Sequence, residues 1–144
     1  MSSRKEMSQR SDYRHFQAIP TRWMDNDAYG HVNNVQYYSY FDTTVNQFLV
    51  HAGILDIQKS PIVGLVVETQ CRYAKSIVFP DLVHAGLKVA HMGNSSVRYE
   101  LGLFKDNDDQ AAAEGHFIHV YVERETNKPV PVPDNMRSVL EKLM

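Results

Sequence analysis

The residues most able to do chemistry stand in one short stretch, Asp25-Asn26-Asp27-Ala28-Tyr29-Gly30-His31-Val32-Asn33-Asn34. Asp25 and Asp27 are two residues apart. On a continuing strand they would point to the same side, and mutual repulsion would raise one pKa. The start of a helix follows, where the first backbone N–H groups lack intrahelical acceptors and the macrodipole is positive. A carbonyl held against those donors is polarised, and an oxyanion forming on it is stabilised. One carboxylate beside such a donor site is the minimum equipment for acyl transfer. Asp, Asn and Gly before a helix are also ordinary turn and cap residues, so residue types alone leave both readings open. A calcium loop is excluded by spacing: Asp25, Asp27 and Gly30 fit its first, third and sixth positions. Tyr29 and Gln36 occupy the fifth and twelfth, and the twelfth needs a carboxylate.

A long helix must position this stretch. Val35, Tyr38, Phe41, Val45, Phe48, Leu49 and Ala52 recur at helical spacing and predict one apolar face over residues 34–52. Asn33 is the expected N-cap, with Gln36 as its capping-box partner, and Gly53-Ile54 is the expected stop. Before the loop, residues 13–23 read as a strand, with Phe16, Ala18 and Ile19 as candidates for burial. After the helix, alternating runs over 61–79, 82–91, 95–104 and 111–123 predict four strands. Short turns at Pro80-Asp81, Met92-Gly93-Asn94 and residues 105–109 make them antiparallel. A proline-rich stretch leads to a short final helix capped by Asp134. The fold class is α+β, an antiparallel sheet of about five strands covered by one long helix. Several strands carry apolar residues on both faces, so a second copy is expected to cover part of the outer one.

The chain of 144 residues suits one domain, residues 13–144, preceded by a flexible arm over residues 1–12. A net charge of -2 argues against nucleic acid or an anionic membrane as the main partner. Cys71 is the one cysteine, which excludes an internal disulfide and makes a cysteine zinc site untenable. His116 and His119, three apart on a strand, face opposite ways and are no metal pair. No run reaches the roughly 20 apolar residues of a membrane helix, and no secretory signal is visible at the N-terminus. The expectation is a cytoplasmic protein without metal.

The pattern Trp23-x-Asp25-x-Asp27-x-x-Gly30-His31-Val32-Asn33-Asn34-x-x-Tyr37-x-x-Tyr40-Phe41 resembles the signature of the hotdog-fold acyl-CoA thioesterases, the 4-hydroxybenzoyl-CoA thioesterase-like family. The resemblance runs from about residue 13 to the final helix and includes the turn Gly93-Asn94-Ser95-Ser96. It implies a hotdog fold, a sheet wrapped around a central helix, assembled as a homodimer or homotetramer. It implies hydrolysis of an acyl-CoA to a free acid and coenzyme A, the coenzyme being part of the substrate and no further cofactor being needed. Asp27 would attack the thioester or act as general base, and the Asn34 N–H would polarise its carbonyl. Gly30 would permit the turn into the helix and Asn33 would cap it. His31 would hold water, contact substrate or support the loop, and Tyr37 would line the acyl pocket or belong to the core. Coenzyme A phosphates need local cations. Arg72, Lys75 and Arg98 are the candidates, with the backbone of Ser95 and Ser96. Two alternatives stand beside this reading: a non-catalytic acyl-thioester binding protein, and a hotdog dehydratase or hydratase.

Overall fold

The computed structural model describes residues 6–144. Five strands, β1 (His15–Pro20), β2 (Ile62–Tyr73), β3 (Leu82–Met92), β4 (Ser96–Lys105) and β5 (Ala113–Glu123), form one sheet in the order β1-β3-β4-β5-β2. Every neighbouring pair is antiparallel. Helix α1 (Asn34–His51) follows β1, and helix α2 (Asp134–Glu141) closes the chain. Phe41, Val45 and Leu49 of α1 join Leu87, Tyr99, Leu101 and Phe117 of the sheet in one buried core. This is the hotdog-like α+β arrangement, a five-stranded antiparallel sheet with a long helix packed against it.

The ends of α1 follow from their residues. The Asn33 side chain accepts the Val35 N–H at 3.0 Å. At the other end Gly53, with φ of 76°, donates to Val50 O and Ile54 donates to Leu49 O, a complete Schellman stop. The capping box does not form as expected, because the Asn33 N–H is taken by the Asp25 carbonyl at 2.8 Å. The buried face is also turned from the expected one. Tyr37, Tyr40, Phe41, Thr44, Val45 and Leu49 are buried, whereas Val35 is exposed and Tyr38 half-buried. The aromatic pairs 37–38 and 40–41 offer two adjacent faces, and packing selects the one that includes Tyr40.

Strand β1 stops at Pro20 instead of running to residue 23. Thr21 turns its N–H to the Asp81 carbonyl, and a 3₁₀ turn over Trp23–Asp25 begins. Phe16 and Ala18 lie on the outer sheet face opposite Gly86 and His84 and are exposed, whereas Ile19 packs against the core. Strand β2 ends at Tyr73, since both Ala74 and Lys75 donate to the Ala112 carbonyl and the chain turns away from the ladder. Residues 74–81 then run beside the loop that carries Asp27.

The expected arm over residues 1–12 divides. Residues 1–5 lie outside the described residues. From Ser8 the chain is docked on the outer sheet face. Arg10 donates to the carbonyls of Asp106, Asp108 and Asp109 and lies over the Phe104 ring. The Tyr13 ring occupies the space left by Gly86 and Gly102; a Cβ at Gly102 would stand 2.6 Å from it. This part of the outer face is covered by the chain's own N-terminal segment. Much of the rest is charged: Lys88 and Arg98 pair with Glu100, and Arg72 with Glu114, while the His116 ring is hydrogen-bonded to the Glu68 carboxylate. No helix among the described residues is long and apolar enough to cross a membrane.

Candidate active site

The loop between β1 and α1 is stitched shut at its base. Asn33 donates to Asp25 O at 2.8 Å, Asp27 donates to His31 O at 2.7 Å, and Gly30 donates to Asp27 O at 3.1 Å. Gly30 has φ of 83°, in the left-handed region that a side chain disfavours. The tight loop so formed delivers the chain from the 3₁₀ turn to the helix start, with Val32 buried beneath and donating to Ile77 O.

Asp25 and Asp27 do not share a side. The strand has ended before Asp25, so period-two alternation no longer applies. Asp25 points inward and is 1% exposed. Its carboxylate accepts the Arg22 N–H at 2.9 Å, the Arg22 guanidinium at 2.8 and 3.0 Å, and the Tyr40 O–H at 2.9 Å. Burial pushes this carboxyl up, but the bonds from Arg22 and Tyr40 outweigh it and hold it below the usual range. The expected rise from repulsion is therefore absent at Asp25.

Asp27 lies at the surface of a cleft. Its Oδ1 accepts the Tyr29 N–H at 2.9 Å, an Asx turn that fixes the carboxylate plane. Among the described residues no donor reaches Oδ2, which is left open. In the first turn of α1, Asn33 satisfies the N–H groups of Val35 and Gln36. The Asn34 N–H meets no protein acceptor among the described residues. The loop and the helix start thus leave one carboxylate oxygen and one helix N-terminal donor unpaired. Both residues line the same open cleft of about 460 Å³.

The other walls come from the loop, from α1 and from the run after β2. His31 stands at the mouth with its side chain exposed, and its carbonyl pins Asp27. Tyr37 is buried and packs edge-on to Tyr73 at 4.9 Å, its hydroxyl accepting the Ile77 N–H at 3.4 Å. Burial raises its phenol pKa, so it is a neutral donor at physiological pH. Lys75 lines the cleft and lies 3.5 Å from Asp108. The cleft therefore gathers Asp27, His31, Asn34, Tyr37 and Lys75, with Gly30 and Asn33 supporting the loop.

Four sequence candidates lie elsewhere within the chain. Arg72 and Arg98 project from the outer sheet face, where alternation puts them beside Glu114 and Glu100. Ser95 and Ser96 belong to the β3–β4 hairpin, and their carbonyls accept Tyr121 and Gly93 N–H groups. That hairpin is at the far end of β3 from the loop, about 33 Å away at about 3.3 Å per residue.

Sequence reading missed Tyr73, Ala74 and Ser76 as cleft residues. The signal was the break in alternation after Tyr73, ahead of Pro80, which marks where β2 leaves the sheet. It also missed Arg22 as the partner of Asp25. Cys71 is no competing nucleophile: burial pushes its thiol up to about 12, so thiolate is scarce at neutral pH. Among the described residues no group of three or more His, Cys, Asp or Glu side chains could hold a metal ion.

Comparison with known proteins gives the family and the fold. The family model of the thioesterase-like superfamily matches residues 21–140. The crystal structure of the PA5185 protein from Pseudomonas aeruginosa strain PAO1 is 50% identical, with a TM-score of 0.94, and 96% of each chain is covered. The PA2801 protein of Pseudomonas aeruginosa, named as a candidate thioesterase, is 33% identical with a TM-score of 0.82, covering 87% of this chain and 96% of that one. The DHNA-CoA thioesterase from Staphylococcus aureus shares the fold at 20% identity and a TM-score of 0.77, over 88% of this chain and 86% of its own.

Proposed function

The chain belongs to the thioesterase-like superfamily, and on that premise we propose that it hydrolyses an acyl-CoA thioester to the free acid and coenzyme A. The observation that carries this reading is the pair of unpaired groups in one cleft, Asp27 Oδ2 and the Asn34 N–H. The thioester carbonyl oxygen accepts from the Asn34 N–H, at the positive end of α1. In the covalent route Asp27 Oδ2 bonds to the carbonyl carbon, and the oxyanion forms against that donor. Collapse breaks the C–S bond and expels the coenzyme thiolate, and water then hydrolyses the mixed anhydride and restores the carboxylate. In the general-base route the same oxygen takes a proton from the attacking water. A thiolate leaves readily, so neither route needs a strong general acid.

Tyr37 and Tyr73 wall the acyl side of the cleft, and His31 stands at its mouth. Lys75 is the cation placed to meet the coenzyme; Arg72, Arg98, Ser95 and Ser96 of the same chain lie outside the cleft. The working particle is a homodimer or homotetramer. Support for self-association comes from β2, an edge strand whose Leu65, Val66 and Val67 are exposed one after another.

The test is release of free thiol from short, long and aromatic acyl-CoAs, with equilibrium binding of the same compounds measured in parallel. Turnover on part of the panel is the expected result. Tight binding with no thiol released would contradict hydrolysis and favour a non-catalytic acyl-thioester binding protein.

A further inference from the structure

Asp25 is the one buried carboxylate among the described residues. Removing a charge from water is costly, and an apolar side chain would fill such a site at no such cost. Here the charge is fully matched. One oxygen takes the Arg22 guanidinium in a forked contact, and the other takes the Arg22 N–H and the Tyr40 O–H. These bonds join three parts of the chain: the exit of β1, the loop and the second turn of α1. The backbone carbonyl of the same residue closes the loop on Asn33. Asp25 therefore holds the base of the loop that carries Asp27 and, through Asn33, the residue that precedes Asn34. Tyr40 also packs against Tyr37, a wall of the cleft, with ring centroids 6.2 Å apart.

We propose that the Arg22–Asp25–Tyr40 cluster is a positioning lock that sets the distance between the Asp27 carboxylate and the Asn34 N–H, and so governs turnover without touching substrate. This rests on the reading of the cleft as a thioesterase site. Reacting groups must be held to a fraction of an ångström, and a displacement of about 1 Å costs about 10²-fold in rate. The Tyr40–Asp25 bond limits the rotation of α1 against the loop, which is the motion that would separate the two groups, and the Arg22 bonds fix the carboxylate that receives it. Substrate binding draws on the cleft walls and Lys75, which the lock does not contact except through Tyr37.

Tyr40→Phe removes one O–H and keeps the ring, and Arg22→Gln removes the guanidinium from a side chain that is 61% exposed. In Tyr40→Phe we expect kcat to fall by about 10-fold or more with KM within about two-fold, and in Arg22→Gln a smaller loss of the same form. Amide hydrogen exchange over residues 26–34 should quicken about 10-fold in both variants, with the amides of β4 unchanged. A kcat within two-fold of wild type together with unchanged exchange in this loop would overturn the lock. So would a loss expressed only as lower melting temperature or higher KM. Asp27→Asn, assayed alongside, separates the two levels. If that variant keeps wild-type turnover, the role of Asp27 fails, and if the wild type has none, the thioesterase reading fails; in both cases loop exchange still judges the lock.

Discussion

At the scale of single residues, two aspartates two positions apart have opposite environments. Asp27 keeps one oxygen in an Asx turn and the other open to the cleft, while Asp25 is enclosed by Arg22 and Tyr40. Asp27, Gly30, Asn33 and Asn34 were legible because their roles are local: a turn, a left-handed φ, a cap and a helix start are written in consecutive residues. The inward turn of Asp25 was not, because it depends on where β1 ends, and that is decided by Thr21 bonding to Asp81 sixty residues away. His31 contributes through its carbonyl, which any residue supplies. We therefore expect His31→Ala to keep turnover within about 10-fold of wild type in the thiol-release assay, less than the 10²- to 10⁴-fold of a general acid or base.

At the scale of elements, α1 is the part the sequence describes best at its ends and worst on its face. Cap and stop chemistry is contiguous, whereas the choice between the Tyr37–Tyr40 and Val35–Tyr38 stripes needs the partner surface. Asn33→Ala should lower stability by about 1 kcal/mol, seen as a melting temperature lower by about 2–4 °C. It should also slow turnover, since the neighbouring Asn34 N–H loses its fixed setting. In the sheet, a Cβ at Gly115 would stand 1.9 Å from the Gln70 carbonyl oxygen of the adjacent strand. That contact is backbone and cannot yield, so Gly115→Ala should give little folded protein by circular dichroism. His119 is buried among Tyr99, Phe117 and Tyr121, and burial pushes its imidazole down to about 4. The unfolded chain takes up that proton near pH 6.5, so the stability is fully present above 6.5 and is lost as pH falls towards 4. Urea unfolding should show this group costing about 2 kcal/mol between pH 7 and pH 5, and the slope should flatten in His119→Gln.

At the scale of the whole molecule, strand number, antiparallel pairing and the single long helix could be read from periodicity and short turns. The covering of the outer face could not. Tyr13 seats on Gly86 and Gly102, which lie on two strands far along the chain, so nothing near residue 13 announces the contact. The same holds for the cations, since Arg72 and Arg98 reach the outer face by strand alternation and only Lys75, beyond the end of β2, reaches the cleft. With the outer face partly covered and much of the rest charged, the open edge of β2 is the surface that suits a second copy. Val67, 59% exposed beside Leu65 and Val66, is the residue to change. Val67→Lys should shift the sedimentation of the native particle towards a single chain of 16.5 kDa, whereas an unchanged profile would place self-association elsewhere.

The proposed hydrolysis rests on Asp27 acting on a thioester held by the Asn34 N–H. The most direct measurement is single-turnover thiol release by wild type and Asp27→Asn side by side, on whichever acyl-CoA the wild type turns over best. A loss of about 10²- to 10⁴-fold is expected in the variant, with its fold and oligomer intact. Thiol release at the wild-type rate from a folded Asp27→Asn protein would contradict it.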